Sequence, residues 1–187
     1  AGPNVLTNAP AWTTNAVPGF DGTFWAPDIL VLNGRYCLYY SISSWGSQVS
    51  AIGLVTNPTL DPTDPAYRWT DQGIVIQSTN GSPYNTIDPS VTRDAAGNPW
   101  LAFGSYWNGI YIVQLDPLSG LRLAPNTPVT PIDFPPAFTT RNFGVSESSR
   151  MLTFALTKIA LSGSSATVAA TSSPTDRRKS SGPKVTA

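Results

Sequence analysis

Two short apolar runs, Ile29 to Leu32 and Tyr36 to Tyr40, stand on either side of Asn33-Gly34, a pattern of two short strands joined by a Gly turn. An acid, Asp28, stands at the head of the first strand, inside the stretch "FWAPDI". The arrangement recurs 60 residues later, where Asp88 leads a short β-like run, Ala96-Gly97-Asn98 makes the turn, and Trp100 to Ser105 returns as an aromatic-rich strand. Each copy continues into a third apolar strand, Ser50 to Thr56 and Gly109 to Leu115. In the first copy a fourth strand, Trp69 to Ser78, follows a Pro- and Asp-rich connection. Short antiparallel strands repeated in units of four predict an all-β chain built as propeller blades rather than a sandwich.

Composition permits such a core. The chain has 187 residues, 41% hydrophobic and 11% aromatic, enough for one domain with a buried interior. No apolar run approaches the roughly 20 residues of a membrane span, and the start, Ala1-Gly2-Pro3, shows no signal-peptide pattern. The expectation is a removed leader or an internal start. Cys37 is the single cysteine and reads as a small buried hydrophobe.

Net charge is zero, but it is divided. Residues 1–138 hold four Lys/Arg and nine Asp/Glu, and residues 139–187 hold seven and two. All Trp and Tyr lie at or before Tyr111. Two regions follow: a partial β-propeller domain over 1–138 and an atypical Ser/Thr/Arg-rich tail over 139–187. Composition predicts disorder for 172–187 and a strand or short helix for Met151 to Gly163. In the first region no basic cluster interleaves with aromatics, so neither nucleic acid nor a membrane is an expected partner.

Chemistry is narrowed further by the absence of histidine. Ser-His-Asp and Cys-His catalysis and His-liganded zinc are excluded, and no metal or other cofactor is expected. Carboxylates remain. Glycan hydrolysis is the common chemistry that carboxylates perform alone, and Tyr and Trp at strand ends offer flat faces for sugar rings. An Asp in a Gly-rich or Pro-rich turn more often caps the turn than acts on substrate, which is the reading for Asp61, Asp64, Asp94 and Asp116. For Asp28 and Asp88 the repeated position makes the two readings even. Trp45 and Trp107, in "SWGS" and "YWNG", fall in strand-end loops where a ring could be exposed.

Taken in order, "FWAPDI", "YYSISSWGSQVSAIGLVTNPTLDP", "YRWTDQGIVIQS", "YNTIDPSV" and "WLAFGSYWNGIYIVQL" resemble the family-43 glycoside hydrolases, and within them the endo-1,5-α-L-arabinanases, over about residues 12–125. The resemblance implies a five-bladed β-propeller, here incomplete at two to three blades, and secreted hydrolysis of α-1,5-L-arabinan or a related plant cell-wall oligosaccharide with inversion. It makes Asp88 the carboxylate that tunes and orients the general acid. It assigns Gly46, Asn85, Thr86, Ile87, Ser105, Tyr106 and Trp107 to substrate-lining stretches. Trp25, Asp28 and Trp45 support the site.

Departures from the family pattern matter equally. Its general base lies in a His-Asp-Pro context, and Asp21, the only acid before Asp28, has none. Its general acid is a glutamate before an aromatic strand, and the one glutamate, Glu147 in "FGVSESSRM", lacks that context. Beyond about Pro131 the likeness ends. A truncated or frame-shifted form, a non-catalytic sugar-contacting remnant, and a xylosidase or arabinofuranosidase relative are the alternatives these departures imply.

Overall fold

The computed structural model describes residues 5–6, 8–104 and 107–132. Ser105, Tyr106, Glu147 and the tail expected over 139–187, with its Met151 to Gly163 segment, lie outside the described residues.

Two four-stranded antiparallel sheets form the structure. In the first, β1 (Trp25–Leu32), β2 (Arg35–Ile42), β3 (Ser50–Asn57) and β4 (Thr70–Ser78) pair in chain order. In the second, β5 (Ser90–Arg93), β6 (Pro99–Phe103), β7 (Tyr111–Gln114) and β8 (Thr130–Pro131) do the same. The β1–β2 hairpin closes through Asn33 and Gly34 at φ 48° and 70°. Tight hairpins need positive φ at both loop positions, and Asn-Gly supplies it. Two elements were not anticipated: a five-residue helix α1 (Trp12–Ala16) and the two-residue strand β8.

The strand period of two sorts the core. From β2 and β3, Cys37, Tyr39, Ile52 and Leu54 face the second sheet and meet Leu101, Phe103, Val113 and Leu115 in one cluster. The alternate residues Tyr40, Ile42, Ala51 and Val55 pack on the other side with Ala16, Val17 and Trp12 of the N-terminal segment. Gly53 lies beneath that contact: a Cβ there would fall 2.6 Å from Tyr40 Cζ and 2.7 Å from the Trp12 ring. Cys37 is buried and unpaired by disulfide, and burial pushes its thiol pKa up.

The inner edges of the sheets, β1 and β5, are joined by side chains. Asp28 Oδ2 accepts from Val91 N at 2.8 Å, and Arg93 Nη2 donates to Val31 O at 2.7 Å. Both contacts advance along the chain together, so β1 and β5 run in the same sense. Their leading ends, near Asp28 and Asp88, lie toward one end of the molecule. Among the described residues no helix is long and apolar enough to cross a membrane.

Candidate functional site

A cleft of about 520 Å³ opens beside these leading ends, walled by Trp25, Trp45 and Trp107 and floored by Asn85 and Ile87. Ser43, Ser44, Gly46 and Ser47 complete it. Trp25 and Trp45 stand with ring centroids 5.2 Å apart at 38°, and Trp45 is 91% exposed. An aromatic ring of that size is normally shielded from water, so its exposure on a cleft rim points to a ligand with flat apolar faces.

The local chain geometry explains how these rings come together. A bulge in β1 sets Trp25 opposite Ser41 and Asp28 opposite Tyr39. Three steps along β1 thus span two along β2. Trp25 is carried to the sheet face that Asp28 occupies, as a bulge re-aims side chains. Ala26, within the bulge, holds φ 40°, a costly conformation for a residue with a Cβ. Trp45 projects from a turn closed by Ser47 N to Ser44 O at 3.1 Å. Gly46 takes φ 74° there, in the third turn position, which favours Gly.

Segment 85–88 forms the floor and is fixed at every residue. Asn85 Oδ1 accepts from Ser50 Oγ at 2.8 Å. Thr86 and Ser78 clasp each other: Thr86 N donates to Ser78 Oγ and Ser78 N to Thr86 Oγ1, both at 3.1 Å. Thr86 Oγ1 also donates to Ser50 O at 2.7 Å. Ile87 O accepts from Gly104 N at 2.8 Å, and Asp88 N donates to Ser41 Oγ at 2.9 Å. Thr86, expected on the sugar-facing surface, is completely buried in this clasp. It holds the floor and does not line the cleft.

Asp88 differs from every other described acid. Of the eight aspartates among the described residues, seven accept hydrogen bonds. Asp21, Asp61, Asp64, Asp94 and Asp116 each close a turn on nearby donors. Asp71 accepts from Trp12 Nε1, and Asp28 from Ile29 N and Val91 N. The Asp88 carboxylate has no such partner among the described residues. It is half-buried beside Ile87 with its backbone at φ 53°, and burial raises its pKa. A carboxyl desolvated without compensating donors holds its proton to higher pH than usual. Such groups concentrate at functional sites.

The model of glycosyl hydrolases family 43 matches residues 2–152. The chain belongs to that family. Over 113 residues it is 48% identical to the extracellular endo-α-(1→5)-L-arabinanase 1 of Bacillus subtilis, covering 60% of this chain and 34% of that protein. An exo-1,5-α-L-arabinanase from a bovine ruminal metagenomic library superposes with a TM-score of 0.65 at 43% identity, over 70% of this chain and 42% of that one. An α-L-arabinanase of Cellvibrio cellulosa, solved with arabinohexaose, gives 0.64 at 36% identity, over 72% and 44%. The chain therefore spans about a third of the length of the B. subtilis relative.

In this family-43 chain the structure brings Trp25, Trp45, Gly46, Asn85, Ile87 and Trp107 together in the cleft, with Asp88 adjoining. Ser105 and Tyr106 lie outside the described residues. Asp28 ties the sheets and is not among the residues lining the cleft. Sequence reasoning passed over Ser43, Ser44 and Ser47, although they flank Trp45, and over Ser50. A serine opening an otherwise apolar strand was the one available sign of Ser50. Among the described residues no group of three or more His, Cys, Asp or Glu is placed to hold a metal ion.

Proposed function

We propose that this chain is the sugar-contacting portion of a secreted glycoside hydrolase that cleaves α-1,5-linked L-arabinan with inversion, on a five-bladed propeller. The observation that carries the reading is the Asp88 carboxyl, desolvated and without a hydrogen-bond donor among the described residues, next to a cleft of three tryptophans. Family membership and the arabinanase relatives support the substrate class. Two curated relatives, from B. subtilis and Cellvibrio japonicus, are named extracellular.

In this reading the Asp88 carboxylate acts on a second carboxyl group. A nearby negative charge disfavours ionisation of the general acid and keeps it protonated for delivery to the glycosidic oxygen. A general base on the opposite face of the sugar, about 6.5–9.5 Å from the acid, would activate water. The tryptophans would stack on the pentose rings and hold the scissile bond in register. Asp88 itself forms no bond to the sugar.

Release of reducing ends from linear arabinan, with proton NMR of the first anomer formed, tests the reaction and its stereochemistry. In an enzyme completed with the remaining blades, Asp88→Asn is expected to leave binding of arabino-oligosaccharides within about twofold while lowering turnover by at least about tenfold and shifting the alkaline limb of the pH profile downward. Preference for xylo-oligosaccharides, or turnover and pH profile unchanged by the substitution, would overturn the reading.

A second reading has its own observation. Among the described residues seven aspartates accept hydrogen bonds, which leaves Asp88 as the one with an unengaged carboxylate beside the cleft. The chain would then bind arabinan without cleaving it. Calorimetric binding of arabino-oligosaccharides with no release of reducing ends is the expected result.

A further inference from the structure

We propose that Ser50 is a positioning residue that fixes the Asn85 carboxamide, so that the cleft floor presents a paired donor and acceptor to vicinal hydroxyls of the bound sugar. The inference rests on the arabinan reading and adds the polar recognition that the tryptophan walls cannot supply.

The argument is a proton count. Ser50 Oγ lies 2.8 Å from Asn85 Oδ1 and 2.8 Å from Ser43 Oγ, and all three residues are buried. A hydroxyl has one proton to give. With that proton given to Asn85 Oδ1, the Ser43–Ser50 contact must be donated by Ser43. The alternative acceptor for Ser43, the Ser44 carbonyl, is at 3.4 Å, too long to compete. The chain therefore runs Ser43 to Ser50 to Asn85.

The consequence falls on the cleft, which both Ser43 and Asn85 line. Asn85 Nδ2 has no acceptor among the described residues, and it is not one of the fully enclosed atoms lacking a partner. Its two protons are available to a ligand oxygen. Ser43, its own proton directed at Ser50, has lone pairs left to accept from a ligand hydroxyl. One donor beside one acceptor matches a polyol, whose hydroxyls give and take in turn. An exposed amide would sample both orientations, whereas one locked from behind loses less freedom on binding.

Calorimetry with linear α-1,5-arabinotriose on the full chain tests this. Ser50→Ala is expected to weaken binding about five- to tenfold, the value of one oriented hydrogen bond. Ser50→Cys, which keeps a weak donor, should recover part of the loss. Thr56→Ala, which removes another buried hydroxyl of β3 far from the cleft and its floor, should bind within about twofold of wild type and controls for general loosening. Asn85→Asp can still take the Ser50 proton but offers no donor, and should lose at least about tenfold. Should Ser50→Ala fold poorly, the Asn85 side-chain amide resonances of the wild-type chain serve instead, and should move downfield on saturation.

Affinity unchanged in Ser50→Ala, retained in Asn85→Asp, or amide resonances unmoved by bound sugar would overturn the inference and leave the arabinan reading standing. A wild-type chain that does not bind arabinotriose would overturn both.

Discussion

Asp28 and Asp88 introduce two similar stretches of sequence and meet different fates. Asp28 gives both oxygens to backbone N–H groups, one its neighbour's and one on the other sheet. Among the described residues Asp88 is anchored only through its own backbone, on Ser41, and its carboxyl is left desolvated. The contrast shows what separates a structural acid from a chemical one here. Similar positions in a repeat offer similar side chains, and the donors around each decide whether its charge is used up in holding the fold.

The strongest way to break the contrast is to remove the structural acid. Asp28→Ala strips the acceptor from Val91 N at the sheet junction and should destabilise by about 1–3 kcal/mol in urea denaturation. If Asp28→Ala costs no more than Asp88→Ala, the distinction fails. A smaller effect is expected at the anchor of Asp88. Ser41→Ala leaves Asp88 N without its acceptor and should cost about 1 kcal/mol, together with looser geometry of the cleft floor.

The smallest effect has the opposite sign. Because burial raises the native pKa of Asp88, the folded state favours the protonated carboxyl and ionisation costs stability. At pH well below the ordinary value of 3.8 both folded and unfolded states carry the proton and the cost is absent. It accrues as pH rises through the ordinary value and is complete above the raised native one. Asp88→Asn should therefore melt slightly higher than wild type at neutral pH, with the gain vanishing in acid. Asn also tolerates positive φ, so the backbone at Asp88 need not change. A melting difference constant with pH would mean that burial does not act on the charge.

Much of this was legible in the sequence because short apolar runs bounded by Gly, Asn and Pro turns mark strands buried on both faces, as β3 is. The hairpins around Asn33-Gly34 and Gly97 and the two-sheet plan followed from these runs, their turn residues and the repeat 60 residues on. β8 did not: two residues, one of them Pro131, carry no period, and their pairing with β7 is set by tertiary position. Helix α1 has five residues, no side-chain cap and two threonines. It is held by packing of Trp12 against Tyr40 rather than by propensity. In the site, aromatic residues beside glycines announced exposed loops, and Trp45 proved nearly fully exposed. The bulge at Ala26 was illegible, since "WAPD" reads equally as a turn before a strand. The buried serines were illegible too, because their role depends on what folds over them.

The junction between β1 and β5 has a consequence for behaviour in a crowded solution. Each is an edge strand of its sheet, and an open edge is a template on which a foreign strand can pair and grow into an aggregate. Asp28 occupies the amide of Val91, and Arg93 occupies the carbonyl of Val31. Those are a donor and an acceptor that an incoming strand would need. The two edges thus silence each other with side chains. Sheets joined in this way meet at their inner strands through side chains without fusing into one continuous ladder, and the same two contacts take one amide and one carbonyl of these edges out of reach of an incoming chain.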